Sequence, residues 1–346
     1  MVMMARYGFP GFKRLAGAAV ALAGFILPAF GQAEPPPAAP RPVIVWDVPA
    51  FNALPDDEQG RLARYGRSVI EATYAHIGPA VADPAARFAG NNLACANCHL
   101  QAGLKKFGLP LVAASADYPA YSSRSGAVSS LFDRVNQCLK RSMNGRPMGQ
   151  DDRPMQAILA YLDVLATHIP PDAAIVGTGA GAIPELDRAA DPVRGAVIYA
   201  GNCAECHRRD GLGVRRNEAQ PDMGYAFPPL WGPDSFNDGA GTARLITLAN
   251  FVHDNMPNGT SWVAPTLAPQ DAWDVAAFVL SQKRPQLAGI DRDFPDLLLK
   301  PVDAAYPPFA DGFPAEQHRY GPFAPIRAEI ARLKQARGAI PNPNTP

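Results

Sequence analysis

A pentapeptide of the form Cys-x-x-Cys-His occurs twice in this chain, at Cys95–His99 and at Cys203–His207. This pattern is typical of covalent c-type haem, whose vinyl groups form thioethers with the two thiols while the adjacent histidine ligates the iron. Disulfides, redox dithiols and zinc sites share the Cys-x-x-Cys spacing but do not need the following histidine, and a zinc site needs four clustered ligands. The sequence therefore predicts two covalent haems, held by Cys95, Cys98 and His99 and by Cys203, Cys206 and His207.

The N-terminus has the pattern of a secretory signal peptide. A basic segment with Arg6, Lys13 and Arg14 precedes the apolar run Leu15–Phe30. The small residues Gly31 and Ala33 suit cleavage after Ala33. A retained membrane anchor is the alternative, although the run is short for a bilayer span. We expect residues 1–33 to be a signal peptide, 34–45 a proline-rich leader, and the mature protein to be periplasmic without stable membrane insertion.

Charge and proline content restrict the possible binding partners and the secondary structure. The chain has 32 basic and 32 acidic residues, and loss of the predicted signal peptide removes only basic ones, so no nucleic-acid partner is indicated. The 37 prolines favour short helices joined by irregular segments.

The periodicity of apolar residues predicts helices, and the first of them resembles the N-terminal helix that leads into the haem motif of class I cytochromes c. The expected fold is all-α, with two class I cytochrome c-like domains and a largely irregular C-terminal tail. The boundaries are 46–170 for the first domain, 171–190 for a linker, 191–285 for the second domain and 286–346 for the tail. The two halves resemble an internal duplication. Helices are predicted from a cap at Asp56 or Asp57 to Thr73, over Ser129–Met143, Pro154–Thr167, Val193–Tyr199, Thr242–Asp254 and Gln270–Ser281, and in the tail over Pro325–Ala336.

The second haem has three candidates for its sixth iron ligand. Met256 follows a predicted helix, in a loop of the kind in which class I cytochromes place their methionine, and methionine ligation raises the haem potential. Met223 and His253 are the alternatives.

The first haem has two kinds of candidate ligand. The duplication favours Met143, with Met148 as another option. Cys138 falls on the same predicted apolar face as Val128, Leu131 and Val135. Arg134, Cys138 and Ser142 follow at four-residue intervals with Arg141 alongside, an arrangement that favours a thiolate and could bind a sulfur oxyanion. A buried inert cysteine, with arginines that bind haem propionates, remains the alternative.

Several separate segments resemble the dihaem thiosulfate dehydrogenases, which are bacterial periplasmic c-type cytochromes. The resemblance runs from about Trp46 to Ile326. The segments are Asn91–Gly103 around the first haem motif, Asp133–Cys138 with Ser142–Gly145, Lys300–Ala304, Asp311–Phe313 and His318–Phe323.

The resemblance implies an enzyme that couples two thiosulfates to tetrathionate and passes two electrons to a soluble acceptor, such as a small cytochrome c or a high-potential iron-sulfur protein. It implies His99 and Cys138 as ligands of a catalytic first haem, with Arg124, Arg134 and Ser142 lining the site. The second haem, with His207 and Met256, would relay electrons. Two rivals are a dihaem electron carrier without a substrate and a haem subunit of the multienzyme thiosulfate-oxidising system.

Overall fold

The computed structural model describes residues 43–44, 54, 56–167, 169–170 and 173–338, and the predicted signal peptide and most of the leader lie outside these. The predicted all-α class is confirmed, and the predicted helices are found with ends shifted by a few residues. No helix in the described ranges is long and apolar enough to cross a membrane. In chain order the α-helices are α1 (Glu58–Glu71), α2 (Thr73–Ile77), α3 (Leu100–Gly103), α4 (Leu131–Arg141), α5 (Arg153–Ala166), α6 (Pro192–Asn202), α7 (Ala204–His207), α8 (Leu245–Asn255), α9 (Pro269–Ser281), α10 (Ala315–Tyr320) and α11 (Ala324–Arg337).

Strands are short and pair only in twos among the described residues. They are β1 (Val43–Ile44), which pairs in parallel with β4 (Ala174–Ile175), the hairpin of β2 (Ala120–Ser122) and β3 (Ala127–Ser129), and the antiparallel pair β5 (Val214–Arg215) and β6 (Tyr225–Phe227).

Side-chain caps set the starts of the helices that frame the two domains. The Asp57 carboxylate accepts from the Gly60 amide at 2.8 Å and starts α1. Ser130 and Asp133 form a reciprocal capping box at the start of α4. Asp191 accepts from the first amides of α6, and Pro192 occupies the first helical position.

Each domain is built on a helix pair that a glycine allows to approach closely. In the first domain α1 packs on α5, where a Cβ added to Gly66 would overlap the carbonyl oxygen of Ala157. In the second domain α6 packs on α9, and Gly195 meets the carbonyl oxygen of Asp274 in the same way. This shared device supports the predicted internal duplication.

Two apolar cores lie beside these helix pairs. The first includes Val69, Ile158 and Tyr161, and the second includes Trp273 and Val275. The domain boundaries themselves remain predictions.

The tail after α9 contributes to the second core. Phe323 and Ile326 are buried in it, and the Phe323 ring lies 6.1 Å from the ring of Trp273. The tail therefore packs into the domain rather than only covering it. Only α11 was predicted within the tail, whereas the structure also forms α10 there.

One predicted helix face is wrong at its start. Val128 was placed on the apolar face of the Ser129–Met143 helix, but it lies in β3 and its side chain is 67 % exposed. The helix begins only at Leu131 because the Ser130 cap ends the hairpin. Leu131 and Val135 pack against the first core, Asn136 and Leu139 are the buried residues of α4, and Cys138 is only partly buried.

Candidate functional site

The first haem motif folds as a short turn that leads into α3. The hydroxyl of Thr73 donates to the Cys95 thiol at 3.3 Å and accepts from the Cys95 amide at 3.0 Å. Burial raises the pKa of Cys95 to about 11 and that of Cys98 to about 12. His99 Nδ1 lies 2.6 Å from the carbonyl oxygen of Leu109, and burial lowers the pKa of this imidazole.

The second motif repeats the arrangement at the end of α6 and in α7. His207 Nδ1 lies 2.9 Å from the carbonyl oxygen of Pro228, and burial lowers its pKa. Burial also raises the pKa of Cys203 to about 11.

These residues fit covalent haem by the chemistry of their donors. A carbonyl oxygen can only accept, so Nδ1 of His99 and of His207 carries the proton and Nε2 is the nitrogen left for iron. All five cysteines are free thiols in the described ranges. No group of three or more His, Cys, Asp or Glu residues in those ranges could hold a metal ion, so the zinc alternative finds no ligand set.

Cys138 lies on α4 within electrostatic reach of the first motif. It raises the pKa of both Cys95 and Cys98 and is the largest influence raising the pKa of Arg134, one turn before it. Arg134 forms no ion pair with a described residue and also lowers the pKa of His99. The structure therefore brings the unpaired cysteine, an unneutralised guanidinium and the attachment cysteines together.

The methionine candidates near this site are fully buried. Met143 follows α4, is 3 % exposed, and belongs to the first core, with its amide bonded to the Cys138 carbonyl oxygen at 3.2 Å. Met148 is 2 % exposed and its backbone is held by the Asn136 side chain.

Arg124 and Arg141 share a carboxylate from the tail. Arg141 binds Asp293 through two hydrogen bonds of 2.7 Å, and Arg124 donates to the same carboxylate at 3.1 Å. Both guanidiniums also donate to the carbonyl oxygen of Gly239, and the Tyr306 hydroxyl donates to Asp293 at 3.1 Å. We call Arg124, Arg141, Asp293 and Tyr306 the arginine clamp.

Burial and the neighbouring Arg141 lower the pKa of Arg124, and the charge of Arg134 lowers it further. The clamp is therefore electrostatically coupled to the Cys138 site. Sequence reasoning placed Arg141 beside the thiol and missed Asp293 and Tyr306. No local pattern marks these two residues, since Asp293 pairs with arginines more than a hundred positions away in the chain and Tyr306 reaches the clamp through Asp293.

Ser142 caps the C-terminal end of α4. Its amide donates to the Cys138 carbonyl oxygen at 2.8 Å, and its own carbonyl accepts from Asn91 at 3.0 Å. The hydroxyl makes no hydrogen bond to the described part of the chain, so it is free to bind a ligand.

Met256 directly follows α8, as predicted, and its partly buried side chain packs against the second core. Its alternatives are placed differently. Met223 is 42 % exposed, and His253 is bound through Nδ1 to Asp254 at 2.6 Å.

The loop after His99 and the segment around Met256 meet across the domains. Asn255 donates to the Phe107 carbonyl oxygen at 2.9 Å, and Lys105 donates to the Thr260 carbonyl oxygen at 3.1 Å. The rings of Phe107 and Trp262 lie 5.1 Å apart. The loop after His99 thus packs directly on the loop after Met256.

Family models match both domains. A model described as SoxA/TsdA, cytochrome c domain, matches residues 86–170, and one described as cytochrome c matches residues 192–283.

Three curated relatives share the name thiosulfate dehydrogenase. The protein from Thiomonas intermedia is 37% identical over 69% of this chain and 71% of its own length. The relative from Stutzerimonas stutzeri is 38% identical over 70% of this chain and 73% of its own length. The relative from Allochromatium vinosum is 36% identical over 70% of this chain and 86% of its own length.

Among solved structures, the chain is similar to thiosulfate dehydrogenase (TsdBA) from Marichromatium purpuratum in its as-isolated form. The identity is 34% and the TM-score 0.63, over 71% of this chain. The match spans half the length of that protein.

Proposed function

The chain belongs to the thiosulfate dehydrogenase family of c-type cytochromes, and on this premise we propose that it oxidises two thiosulfate anions to tetrathionate. A sulfur–sulfur bond forms between the two thiosulfates, and two electrons leave to an external acceptor. The observation that carries the proposal is the electrostatic interaction of Cys138 with both cysteines of the first haem motif and with Arg134. The two covalent c-type haems supply one-electron redox chemistry when bound.

The arginines oppose the repulsion between the substrates. Two thiosulfate dianions must approach each other before their sulfurs can bond, and fixed positive charges offset this cost best where water is excluded. Arg134 has no carboxylate within ion-pair distance in the described ranges, so no acidic side chain neutralises its charge near Cys138. Arg124 and Arg141 share one carboxylate, which leaves the clamp with a net positive charge.

The clamp also fixes where that charge lies. Each guanidinium is bound to the Asp293 carboxylate and to the Gly239 carbonyl, so neither can swing freely. We assign Asp293 and Tyr306 as positioning residues for Arg124 and Arg141, because geometry held in advance lowers the cost of orienting two anions.

Cys138 and Ser142 complete the proposed catalytic set with Arg124 and Arg134. Cys138 and His99 would be the residues that hold the iron of the first haem, and Arg134 lies one turn before Cys138 on α4. The Ser142 hydroxyl follows Cys138 by one further turn and would donate a hydrogen bond to a bound sulfur oxyanion.

The second domain would relay the electrons, with His207 and Met256 as ligands. The contact between the loops after His99 and Met256 supports this route, because it brings the ligand segments of both domains together. The position before the methionine is Asn255, a buried side chain whose amide bridges to the first domain.

We further propose that the protein is periplasmic and passes electrons to a small soluble acceptor, either a cytochrome c or a high-potential iron-sulfur protein. The predicted signal peptide and the haem attachment motifs support export. The acceptor class rests on the family alone.

An assay of the purified chain with thiosulfate and an artificial acceptor tests the proposal. We expect thiosulfate-dependent acceptor reduction with one tetrathionate formed for every two thiosulfates consumed. Absence of tetrathionate, with both haems reducible by dithionite, would instead support a pure electron carrier. Turnover that needs a separate carrier protein would support a subunit of the multienzyme thiosulfate-oxidising system.

A further inference from the structure

Arg284, just after α9, is a largely buried cation without an acidic partner. Its guanidinium donates to the carbonyl oxygens of Val279 at 2.7 Å and Leu230 at 3.4 Å and stacks 4.5 Å from the Phe236 ring. No carboxylate of the described residues lies within 4.0 Å of it. Burial lowers the pKa of Arg284 to about 10. The guanidinium thus contacts carbonyls and an aromatic ring, and its nearby carboxylate, Asp238, raises its pKa without forming an ion pair with it.

A cavity of about 410 Å³ lies against this guanidinium, between the second domain and the tail. Arg244 also lines it, with one nitrogen paired to Asp303 at 3.2 Å while its buried Nε has no partner. The exposed side chains of Lys283 and Arg319 lie at its solvent side. The cavity's charged lining is Arg244, Lys283, Arg284 and Arg319 against Asp238 and Asp303.

The two carboxylates offset two of the four positive charges of the lining. Asp303 accepts from the Ile246 amide as well as from Arg244, and Asp238 accepts from the Leu287 amide. The lining therefore keeps a net positive charge around a space large enough for a polyatomic anion.

The cavity borders the second haem site through one segment. Leu230, which accepts from Arg284, lies two residues after Pro228, whose carbonyl oxygen binds His207 Nδ1. Leu230 also packs on the second core together with Cys203. Tyr306 of the arginine clamp lines this cavity, but Arg124, Arg134, Cys138 and Ser142 do not, and the inference does not rest on the proposed function.

We infer that this cavity is an oxyanion site in which Arg284 and Arg244 bind a carboxylate or sulfur-oxyanion group through their guanidinium nitrogens. The planar guanidinium matches both groups because it can donate two parallel hydrogen bonds. Two sources share this chemistry. One is the propionate carboxylates of the second haem, and the other is a free dianion such as sulfate.

The test uses the full-length protein with both haems attached and compares Arg284→Gln, Arg284→Lys and the wild type. Arg332→Gln is the matched control, because Arg332 is an exposed arginine of the tail that pairs only with Glu329. Spectroelectrochemical titration gives the potential of each haem in chloride buffer, and calorimetry measures the binding of sulfate.

If the anion is a propionate, Arg284→Gln lowers the potential of the second haem and leaves that of the first unchanged, with or without sulfate. The reason is that a nearby positive charge stabilises the reduced haem. If the anion is free, wild-type protein binds sulfate saturably, Arg284→Gln loses this binding, and the potentials in chloride do not move. Arg284→Lys should restore the charge but not the paired hydrogen bonds, so its effect should be intermediate.

The inference is overturned if Arg284→Gln loads both haems and matches the wild type in both potentials and in sulfate binding. If Arg284→Gln fails to load haem, the wild type and Arg284→Lys test the inference instead. A wild type that does not bind sulfate, together with an Arg284→Lys protein whose potentials are unchanged, would equally overturn it.

Discussion

At the scale of single residues, the choice between Cys138 and Met143 decides what the first haem can do. Cys138 lies in α4 and Met143 lies just after its end, but the surroundings of the two side chains differ. Cys138 interacts electrostatically with the two attachment cysteines and with Arg134, whereas Met143 belongs to the apolar core. A thiolate beside an arginine suits sulfur chemistry, and a methionine in an apolar core suits electron transfer alone.

We predict that Cys138→Met keeps both haems but abolishes most turnover. Methionine can still ligate iron, but it carries no negative charge and is a poor nucleophile. Haem content by mass and tetrathionate formation are the measurements, and low-spin electron paramagnetic resonance should lose its thiolate signal.

Met143→Leu is the matched control for that variant. The substitution conserves volume in a core position and is expected to cost less than about 1.5 kcal/mol of stability. It should keep the thiolate signal and the activity. Loss of the signal in Met143→Leu, or an unchanged rate in Cys138→Met, would contradict the assignment of Cys138.

The carboxylate of the arginine clamp gives a second prediction. Asp293→Asn removes the charge that both guanidiniums share, and we expect kcat/KM for thiosulfate to fall about ten- to a hundredfold, as for a displaced anchoring group. KM should rise, because Arg124 and Arg141 lose their fixed positions. If Asp293 only diminished the positive charge, KM would fall instead.

Asp296→Asn serves as the control for Asp293→Asn. Asp296 also pairs with an arginine of the tail, Arg337, through two hydrogen bonds, but this pair lies outside the clamp. Its kinetic constants should match those of the wild type.

The sequence predicted the residues of this site unevenly. The haem attachment residues follow from one local pattern. Met256 lies directly after a helix, as predicted, and its role as a ligand remains a proposal. Asp293 and Tyr306 could not be predicted, because their partners are brought to them by the packing of the tail, which a single sequence does not encode locally. For the same reason the sequence placed Arg141 beside Cys138, although its guanidinium pairs with Asp293.

At the scale of elements, the helix pairs of the two domains depend on a glycine each. Gly66 in α1 and Gly195 in α6 lie where the partner helix's backbone leaves no room for a Cβ. The sequence predicted these helices from their apolar periodicity but not the reason for the glycines. Glycine is unfavourable inside a helix, and only close approach of another backbone explains its presence.

We predict that Gly195→Ala lowers the free energy of unfolding by about 1–3 kcal/mol, because α6 and α9 must separate to admit the methyl group. Gly201→Ala is the control in the same helix, since nothing lies within 4 Å of a Cβ added there. That substitution should be neutral or stabilise by up to about 1 kcal/mol. Denaturant titration followed by far-UV circular dichroism compares the two, and equal effects would contradict the packing argument.

At the scale of the whole molecule, the second domain supports the site of the first. The Asn237 side chain donates to the Lys140 carbonyl oxygen, and the Ser235 carbonyl accepts from Asn144, so residues 235–237 hold the end of α4. The sequence indicated two domains joined by a linker, which is the arrangement of independent modules. The structure shows that the segment after Cys138 is bound by its neighbour, and this follows from long-range contacts rather than from any local pattern.

The contact between the loop after His99 and the loop after Met256 gives the last prediction. The Trp262 ring packs on Phe107 of the first domain and is still 45 % exposed, so Trp262→Leu should loosen this contact without unfolding the second core. We expect thiosulfate to reduce the first haem at the wild-type rate while reduction of the second haem becomes slower, because electron transfer falls steeply as the separation grows. Stopped-flow absorbance in a single turnover resolves the two steps. Val263→Ala, which truncates a more exposed apolar side chain next to it, should leave both rates unchanged. If Trp262→Leu slows both haems equally, the electrons do not pass through this contact, and the second haem would have to receive them by another route.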